Sequence, residues 1–475
     1  MADIQVLTTT DKDIGLSHTT VQAFKESLRG NLLCRGEAGY DPARKVFNAT
    51  VDKYPALIAR CAGAADVIRA VTFAREHDLY IAVRGGGHDL AGYSVCQDGL
   101  LIDLSPMKGI RVDPRHQTVH AQGGVTWGDF DQETTTFGLA TPGGMVSTTG
   151  IAGLTLGGGE GWLSRKYGLS CDNLVSADVV TADGTFLTVS DREYPELFWG
   201  IRGGGGNFGI ITAFEYRLHP VTQVLAGGLV YPLAQAKGLL MFLQDYLPGV
   251  PDDLTVLVAF LTAPADPMFP AEVHNTVVAV PVVCFAGPLD VGENVLQPLR
   301  MFGSPVLDFI APMPYTALQT LFDAQAPPGL HYYYKSAYVQ ELGEGVIDVL
   351  IEQATQVTSP LSHLHVVQLG GAISRVGEDE TAFSHRDMPY ECYIPAIWEN
   401  PSEATQHLAW VRETWNALQA FSPGTGYLNR NSDTEDDVRL RSFYGANKYE
   451  RLVTLKNRYD PTNVFRVHHN IKPTQ

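Results

Sequence analysis

Three clusters of glycine between residues 85 and 209 constrain this chain more than any other feature of its sequence. The first cluster, residues 85–87, follows Arg84 and a β-rich run at residues 79–83, and it ends on His88. Glycines leave backbone N–H groups open to an anion and allow a ligand to approach closely, and Arg84 adds a fixed positive charge. We therefore predict a phosphate cradle that ends on an imidazole. A glycine-rich turn with an incidental histidine is the alternative.

The second cluster covers residues 143–161 (GGMVSTTGIAGLTLGGGEG) and the third covers residues 203–209 (GGGGNFG). The third contains the spacing G-x-G-x-x-G at Gly204, Gly206 and Gly209. Dinucleotide binding of the Rossmann type requires a strand before such a motif and a helix after it. Here an aromatic helical segment precedes the glycines and an apolar strand follows them, so we predict a tight turn at this position instead.

Two regions with different patterns follow one another along the chain, and its length of 475 residues also predicts two domains. Between residues 55 and 219 short apolar strands alternate with amphipathic segments such as residues 65–77, which indicates a mixed α/β region. Beyond residue 220 the glycine clusters end. The later region predicts a sheet with helices on one face, with strands at residues 276–285 and 363–375 and helices at residues 345–355 and 403–420.

Charge and composition exclude several classes of partner. The net charge of −18 disfavours nucleic acid and anionic membranes. The first residues lack a basic region followed by an apolar stretch, and no apolar run could span a bilayer, so we predict a cytoplasmic protein with no membrane partner. Six scattered cysteines without a C-x-x-C pair predict a reduced protein with no metal site. We expect His468-His469 to be packed or at the surface.

Several motifs in combination are specific. They are RGGGH at residues 84–88, TPGG-x-V-S-T-T-G from residue 141, GGG-x-G-W from residue 157, RGGGGNFG at residues 202–209, and YDPTN-x-F with NI-x-P near the C-terminus. With these motifs the chain resembles the berberine-bridge-enzyme-like FAD oxidases, which belong to the vanillyl-alcohol-oxidase/PCMH flavoprotein superfamily. The resemblance extends from about residue 54 to residue 473 and is looser between residues 220 and 422.

The resemblance implies an α+β fold in which the FAD-binding domain is split. A PCMH-type FAD-binding domain of two subdomains is expected at residues 1–219, with its core at about residues 50–220. A substrate-binding domain built on an antiparallel sheet covered by helices is expected at residues 220–425. The C-terminal segment, residues 426–475, is expected to complete the FAD-binding domain.

The resemblance also implies which residues hold FAD. Residues 84–87 (Arg84, Gly85, Gly86 and Gly87) would wrap the pyrophosphate, and His88 would form a covalent bond to the flavin 8α-methyl carbon. A neutral imidazole is a competent nucleophile for this role. The other implied contacts are Ser147, Thr148, Gly150, Gly153, Gly157, Ile211 and Asn470. Simple turn geometry is the alternative reason for the individual glycines.

One departure from the family pattern concerns a second covalent bond. Many members link the flavin C6 to a cysteine four residues before the glycine that matches Gly150, and this position is Val146 here. Neither Cys96 nor Cys171 falls on the motif. We therefore predict a single covalent bond to FAD, through His88.

Two motifs of the substrate domain suggest catalytic residues. Tyr427-Leu428-Asn429 matches the family's Y-x-N motif, and a tyrosine can act as a base if a neighbouring cation lowers its pKa; a packed aromatic that orients the flavin is the alternative. Tyr334 and Lys335 belong to a segment similar to the family's Y-Y-x-K-S and are expected to line the pocket. Because residues 332–334 are three consecutive tyrosines on a strand, one must point to the opposite face.

The function implied by these features is oxidation of an alcohol or amine carbon of a small organic molecule. The substrate would be a sugar, an aromatic alcohol, an alkaloid or a natural-product intermediate, and dioxygen would be reduced to hydrogen peroxide. A monomer or a homodimer is expected. A dehydrogenase that uses another electron acceptor and a non-catalytic flavin-binding protein are the alternatives.

Overall fold

The structure, a computed structural model, describes residues 3–434 and 437–474. Residues 1 and 2 of the predicted FAD-binding domain lie outside the described residues, as do residues 435, 436 and 475 of the predicted C-terminal segment. Up to residue 220 short elements follow one another closely: β1 (Ile4–Leu7), β2 (Asp13–Leu16), α1 (His18–Ser27), β3 (Asn31–Cys34), α2 (Tyr40–Arg44), β4 (Leu57–Arg60), α3 (Ala64–Glu76), β5 (Ile81–Arg84), β6 (Leu100–Asp103), β7 (Ile110–Asp113), β8 (Thr118–Gln122), α4 (Trp127–Thr135), β9 (Leu139–Ala140), α5 (Ile151–Leu156), α6 (Ser164–Tyr167), β10 (Leu174–Val180), β11 (Phe186–Ser190), α7 (Pro195–Ile201), β12 (Ile210–Arg217) and β13 (His219–Pro220).

Two sheets organise this first half. One has four strands in the order β3-β4-β6-β5, in which β6 runs parallel to both β4 and β5, and the other has five antiparallel strands in the order β11-β10-β12-β8-β7. Helix α3 packs its apolar stripe against the first sheet, because Val67, Ala70, Val71 and Ala74 recur at helical spacing and are buried. The third glycine cluster connects α7 to β12, which confirms the predicted order of helix, glycines and strand.

The later region is built on an eight-stranded sheet. Its main path is β17-β14-β16-β15-β20-β21-β19, β18 also pairs with β14, and every pairing is antiparallel, as predicted. The elements are β14 (Gln223–Pro232), α8 (Ala236–Tyr246), β15 (Leu254–Thr262), β16 (Val277–Phe285), α9 (Leu289–Met301), β17 (Leu307–Asp308), β18 (Ala311–Pro314), α10 (Tyr315–Gln319), β19 (His331–Val339), α11 (Glu344–Thr355), β20 (Leu364–Gln368), α12 (Ala372–Arg375), β21 (Tyr390–Trp398) and α13 (Ala404–Leu418).

Helices cover one face of this sheet and the first half of the chain lies against the other. The helical face contains one large apolar cluster to which α8, α9, α11 and α13 contribute. The predicted strand at residues 363–375 was wrong in its second half, because β20 ends at Gln368 and α12 follows. Gly370 and Gly371 have φ values of 83° and 60°, a left-handed conformation that ends the strand and that glycine adopts readily.

The C-terminal segment returns to the first half of the chain. Helix α14 (Asp437–Tyr444) contributes Leu440 and Tyr444, and helix α15 (Ala446–Tyr459) contributes Leu452 and Leu455, to the apolar cluster that also contains α7 and β12. After α15 the buried carboxylate of Asp460 accepts hydrogen bonds from the backbone N–H groups of Val464 and Phe465. This turn directs residues 468–470 back to the third glycine cluster.

No helix among residues 3–434 and 437–474 combines the length and apolar character that crossing a membrane requires. All six cysteines lie in this part of the chain and none of them forms a disulfide.

Candidate cofactor and active site

The three glycine clusters and the C-terminal tail line one cavity. Residues 85–87, residues 150–157 and residues 203–209 contribute glycines to its wall, and His468 and His469 close it from the tail. Ile211, which was expected to contact FAD, lies in the same wall with other apolar side chains, Ile81, Val83, Ile210 and Phe465. The cavity therefore has a mainly backbone-lined polar part and an apolar part.

The glycines of this wall serve different purposes. A Cβ atom on Gly86 would lie 2.3 Å from the backbone nitrogen of Gly150, so the first and second clusters touch only because both residues lack side chains. A Cβ atom on Gly157 would lie 2.1 Å from Oδ1 of Asn429. Among the described residues, no atom outside the backbone of its own helix lies within 4 Å of the Cβ position at Gly153, which leaves that position open to the cavity.

Several buried polar atoms around the cavity have no hydrogen-bond partner among the described residues. They are Oγ of Ser94, Nδ1 of His468, Nδ1 of His469 and, beside them on the tail, Oδ1 of Asn470. Buried polar groups are almost always paired, so these atoms indicate a bound polar ligand. A dinucleotide with one apolar ring system at each end of a charged linker fits this combination of donors, acceptors and apolar walls.

His88 lies at the junction of the cavity and the large sheet. Its Nε2 is 2.9 Å from Oγ1 of Thr148, its Nδ1 is 3.4 Å from Oγ1 of Thr149, and its ring stacks on Phe47 at 4.1 Å. Burial lowers the pKa of His88 to about 4. The imidazole is therefore neutral at pH 7, the form that can act as a nucleophile. Phe47, which the sequence did not indicate, also stacks on Tyr332 of β19.

Two residues that were expected to contact FAD, Arg84 and Ser147, form hydrogen bonds to other protein groups. The guanidinium of Arg84 binds the buried carboxylate of Asp103, with Nε 3.0 Å from Oδ1 and Nη2 2.6 Å from Oδ2, and its Nη1 donates to the carbonyl of Lys45. The backbone N–H and the hydroxyl of Ser147 both donate to Asp323, at 2.8 and 2.6 Å. Arg84 and Ser147 thus hold the glycine loops from outside, because their donors already have protein acceptors.

Tyr427 and Asn429 meet the second glycine cluster. The phenol oxygen of Tyr427 accepts hydrogen bonds from the backbone N–H of Gly159 at 2.9 Å and from Nδ2 of Asn429 at 2.8 Å. Nδ2 of Asn429 also donates to the carbonyl of Leu154, at 3.1 Å. Burial raises the pKa of Tyr427, and Arg430 acts in the opposite direction. Two donors directed at one phenol oxygen stabilise its ionised form.

Tyr334 and Lys335 point to opposite faces of the large sheet, because they are consecutive residues of strand β19. Tyr334 lies on the same face as Tyr332, with ring centres 6.1 Å apart, whereas Tyr333 points to the helical face, which confirms that one of the three tyrosines is turned away. Lys335 also points to the helical face, where its Nζ is 2.7 Å from Asp433. The structure does not bring Lys335 to the other candidate residues, because consecutive residues of a strand face opposite sides.

The sequence did not indicate three charged residues beside Tyr427. Nη1 of Arg430 is 3.0 Å from Oε2 of Glu160 and also binds Glu391 of β21. Arg430 directly follows the Y-x-N motif, and this position is the one feature of the sequence that could have identified it as part of the site. The tail histidines His468 and His469 were expected to be packed or at the surface, yet both line the cofactor cavity.

Comparisons with known proteins agree with this arrangement. A family model described as "FAD binding domain" matches residues 55–190, and one described as "Berberine and berberine like" matches residues 426–472. An FAD-linked oxidoreductase of Dictyostelium discoideum is 34% identical over 460 residues, which cover 96% of this chain and 97% of that protein. The (R)-6-hydroxynicotine oxidase of Paenarthrobacter nicotinovorans is 30% identical over 465 residues, with 94% and 97% covered.

A solved structure resembles the whole chain. The crystal structure of 6-hydroxy-D-nicotine oxidase from Arthrobacter nicotinovorans superimposes with a TM-score of 0.83 at 29% identity. The superposition covers 94% of this chain and 98% of the other. The FAD-binding half, the large sheet and the C-terminal tail therefore occur together in both proteins.

Proposed function

This chain belongs to the berberine-bridge-enzyme-like FAD-linked oxidoreductases of the PCMH superfamily, and on that premise we propose that it oxidises an alcohol or amine carbon of a small organic molecule and transfers the electrons to dioxygen, giving hydrogen peroxide. The observation that carries this proposal is the phenol oxygen of Tyr427, which accepts two N–H donors beside the cofactor cavity. An enzyme of this class needs a base for the substrate proton at such a position.

The residues that would hold FAD are mainly backbone. The glycines at residues 85–87, 150 and 153 offer N–H groups or open space, and His468, His469 and Asn470 offer polar atoms that have no partner in the described part of the chain. His88, neutral and oriented by Thr148, would form the single covalent bond, since Val146 occupies the position of the second one. When bound, FAD supplies a hydride acceptor.

The protein's own residues would manage the proton. Tyr427 would accept it from the substrate O–H or N–H as the adjacent C–H bond breaks. The N–H groups of Gly159 and Asn429 orient the phenol oxygen and favour its ionised form, and the guanidinium of Arg430 adds a positive charge nearby. Asn429 would thus be a positioning residue for Tyr427.

Aromatic side chains on the large sheet favour an aromatic or heterocyclic substrate among the candidate classes. Tyr393 lies between Tyr334 and His365, with ring centres 6.1 and 4.5 Å away. Such rings stack on planar molecules and hydrogen-bond to their edges. The name of the relative (R)-6-hydroxynicotine oxidase points to a compound of this kind, so hydroxylated pyridines with a cyclic amine belong in the first substrate panel.

The single covalent bond can be tested directly. Acid-precipitated protein should remain yellow, and peptide mapping should find the flavin mass on one peptide, which contains His88. Free FAD in the supernatant would contradict the bond to His88. A second flavin-bearing peptide would contradict the statement that it is single.

The reaction can be tested by anaerobic mixing with a panel of alcohols and amines. A substrate bleaches the flavin absorbance, and admission of air should then yield one hydrogen peroxide per substrate. Bleaching without peroxide would identify a dehydrogenase instead. No bleaching across the panel, together with no reoxidation of chemically reduced protein by air, would support a non-catalytic flavin-binding protein.

A further inference from the structure

Arg430 lies between two acids that come from distant parts of the chain. Its Nη1 donates to Oε2 of Glu160 at 3.0 Å and also to Oε2 of Glu391. Glu160 belongs to the second glycine cluster and Glu391 to β21. The exposed fractions are 15% for the Arg430 side chain, 6% for Glu160 and 0% for Glu391. We call these three residues the acid–arginine trio.

The trio contains more acid than base. One guanidinium cannot neutralise two buried carboxylates, and a net buried charge is strongly unfavourable. Both carboxyl groups bind the same Nη1 of Arg430. Burial, with a contribution from Glu160, holds the pKa of Glu391 well above its usual range against the effects of Arg430 and the Ser336 hydroxyl. Oε1 of each acid has no donor among the residues that the structure describes. One proton shared by the two acids supplies that donor and makes the trio neutral.

This trio lies against Tyr427. The guanidinium carbon of Arg430 is 5.6 Å from the centre of the Tyr427 ring and 4.3 Å from that of Tyr393. Burial raises the pKa of Tyr427, Glu160 raises it further, and Arg430 lowers it. The number of protons on the trio therefore decides whether Tyr427 ionises beside a neutral group or beside a net negative charge.

The other ionisable side chains around Arg430 are uncharged at neutral pH. Burial raises the pKa values of the tyrosines and lowers that of the histidine well below its usual range, and these residues are Tyr334, Tyr338, Tyr393 and His365. The charge that acts on Tyr427 from this side therefore comes from the trio.

We propose that Glu160, Glu391 and Arg430 are positioning residues that set the ionisation of Tyr427, with one proton shared by the two acids so that they do not outweigh the charge of Arg430. This inference rests on the proposed function, in which Tyr427 takes the substrate proton. With the shared proton present, Tyr427 ionises beside a neutral trio. Without it, both acids would oppose the phenolate.

Three variants change the charge of the trio in known ways. Arg430→Gln removes the positive charge, the double variant Glu160→Gln/Glu391→Gln removes the acids, and Arg430→Lys keeps the charge as a matched control. The ionisation of Tyr427 is measured without turnover, as the ultraviolet difference titration between each variant and the same variant carrying Tyr427→Phe. We expect Arg430→Gln to move this ionisation upward by at least about one pH unit, the double variant to move it downward by a similar amount, and Arg430→Lys to leave it near that of the wild type.

Opposite shifts distinguish an electrostatic role from a structural one. Shifts of the same sign for Arg430→Gln and the double variant, or no shift in either, would overturn the inference. Retained acid-stable flavin shows that a variant folds. If the double variant does not hold flavin, the single variant Glu391→Gln is measured instead, because its amide still offers a donor to Glu160. A shift of the Tyr427 ionisation by more than about one pH unit in this variant would contradict the shared proton. Turnover of Tyr427→Phe distinguishes a failure of the proposed function from a failure of this inference. If Tyr427 is not the base, Tyr427→Phe keeps full turnover while the titration shifts persist.

Discussion

The wall of the cofactor cavity is mostly backbone, whereas the side-chain wall, which is the face of the large sheet next to Tyr427, is made of side chains. Glycines of three local clusters form the first wall. On the second, Tyr334 of β19 and Tyr393 of β21 lie side by side only because these two strands pair along nine residues each. Cofactor binding is therefore encoded in short continuous segments, and the reactive side chains depend on contacts between distant ones.

The sharpest test of the backbone wall concerns the imidazole of His88. We expect His88→Ala to abolish acid-stable flavin, because the substitution removes the imidazole that is proposed to bond to the flavin. Flavin absorbance of acid-precipitated protein measures this. The matched control is His219→Ala, since half-buried His219 also has a pKa lowered by burial to about 4 but pairs with Asn173 away from the cavity. Yellow precipitate from His88→Ala would place the tether on another residue.

On the side-chain wall, Tyr427→Phe should reduce kcat by about 100-fold or more, the usual contribution of a positioned general base. The loss should appear in kcat with the flavin content unchanged. Tyr333→Phe is the matched control, because Tyr333 lies on the opposite face of the sheet and its phenol donates to Asp433. A similar loss in both variants would indicate a packing effect in place of proton transfer.

The same contrast explains what the sequence could predict. The α+β class, the antiparallel sheet and the position of the glycine clusters followed from local patterns and from motifs that resemble a known family. Arg430, Glu160 and Glu391 did not, because each is an ordinary charged residue until strand pairing and the fold bring the three together. Lys335 was misplaced for a related reason: adjacency in sequence on a strand means separation across the sheet. The commitment of Arg84 to Asp103 likewise depends on the parallel register of β5 and β6.

Two glycine substitutions separate the structural glycines of the backbone wall from those that leave room for FAD. Gly86→Ala should destabilise the apoprotein by about 1–3 kcal/mol, since the new methyl group meets the backbone of Gly150. Gly153→Ala should not, because the position is open and alanine favours helix α5; it should instead slow FAD incorporation. Urea unfolding and flavin uptake measure the two effects. Equal destabilisation by both substitutions would mean that Gly153 is not open to the cavity.

The low pKa of His88 makes the covalent bond insensitive to mild acid. With a pKa of about 4, the imidazole stays mostly neutral at pH 5, whereas an exposed histidine with its usual pKa of 6.5 would be mostly protonated. We expect bond formation in reconstituted apoprotein to slow by less than about twofold between pH 7 and pH 5. Phe47→Ala should restore a strong dependence, because it uncovers the ring that stacks on Phe47. A wild-type rate that already falls steeply below pH 6.5 would contradict the burial of His88.

Lys335→Met should have the smallest effect on the reaction. Its Nζ binds Asp433 and lies 4.5 Å from the centre of the Trp415 ring on the helical face, so removal of the charge changes packing and one ion pair away from the cavity. Asp433 keeps the hydroxyl of Tyr333 as a donor, which limits the cost to about 1–3 kcal/mol of unfolding free energy. Steady-state kcat and the pH profile should match those of the wild type. A loss of kcat comparable to that of Tyr427→Phe would show that residues on the helical face of the sheet also affect the reaction. It would contradict the division between a backbone wall that holds FAD and a single side-chain face that takes the substrate proton.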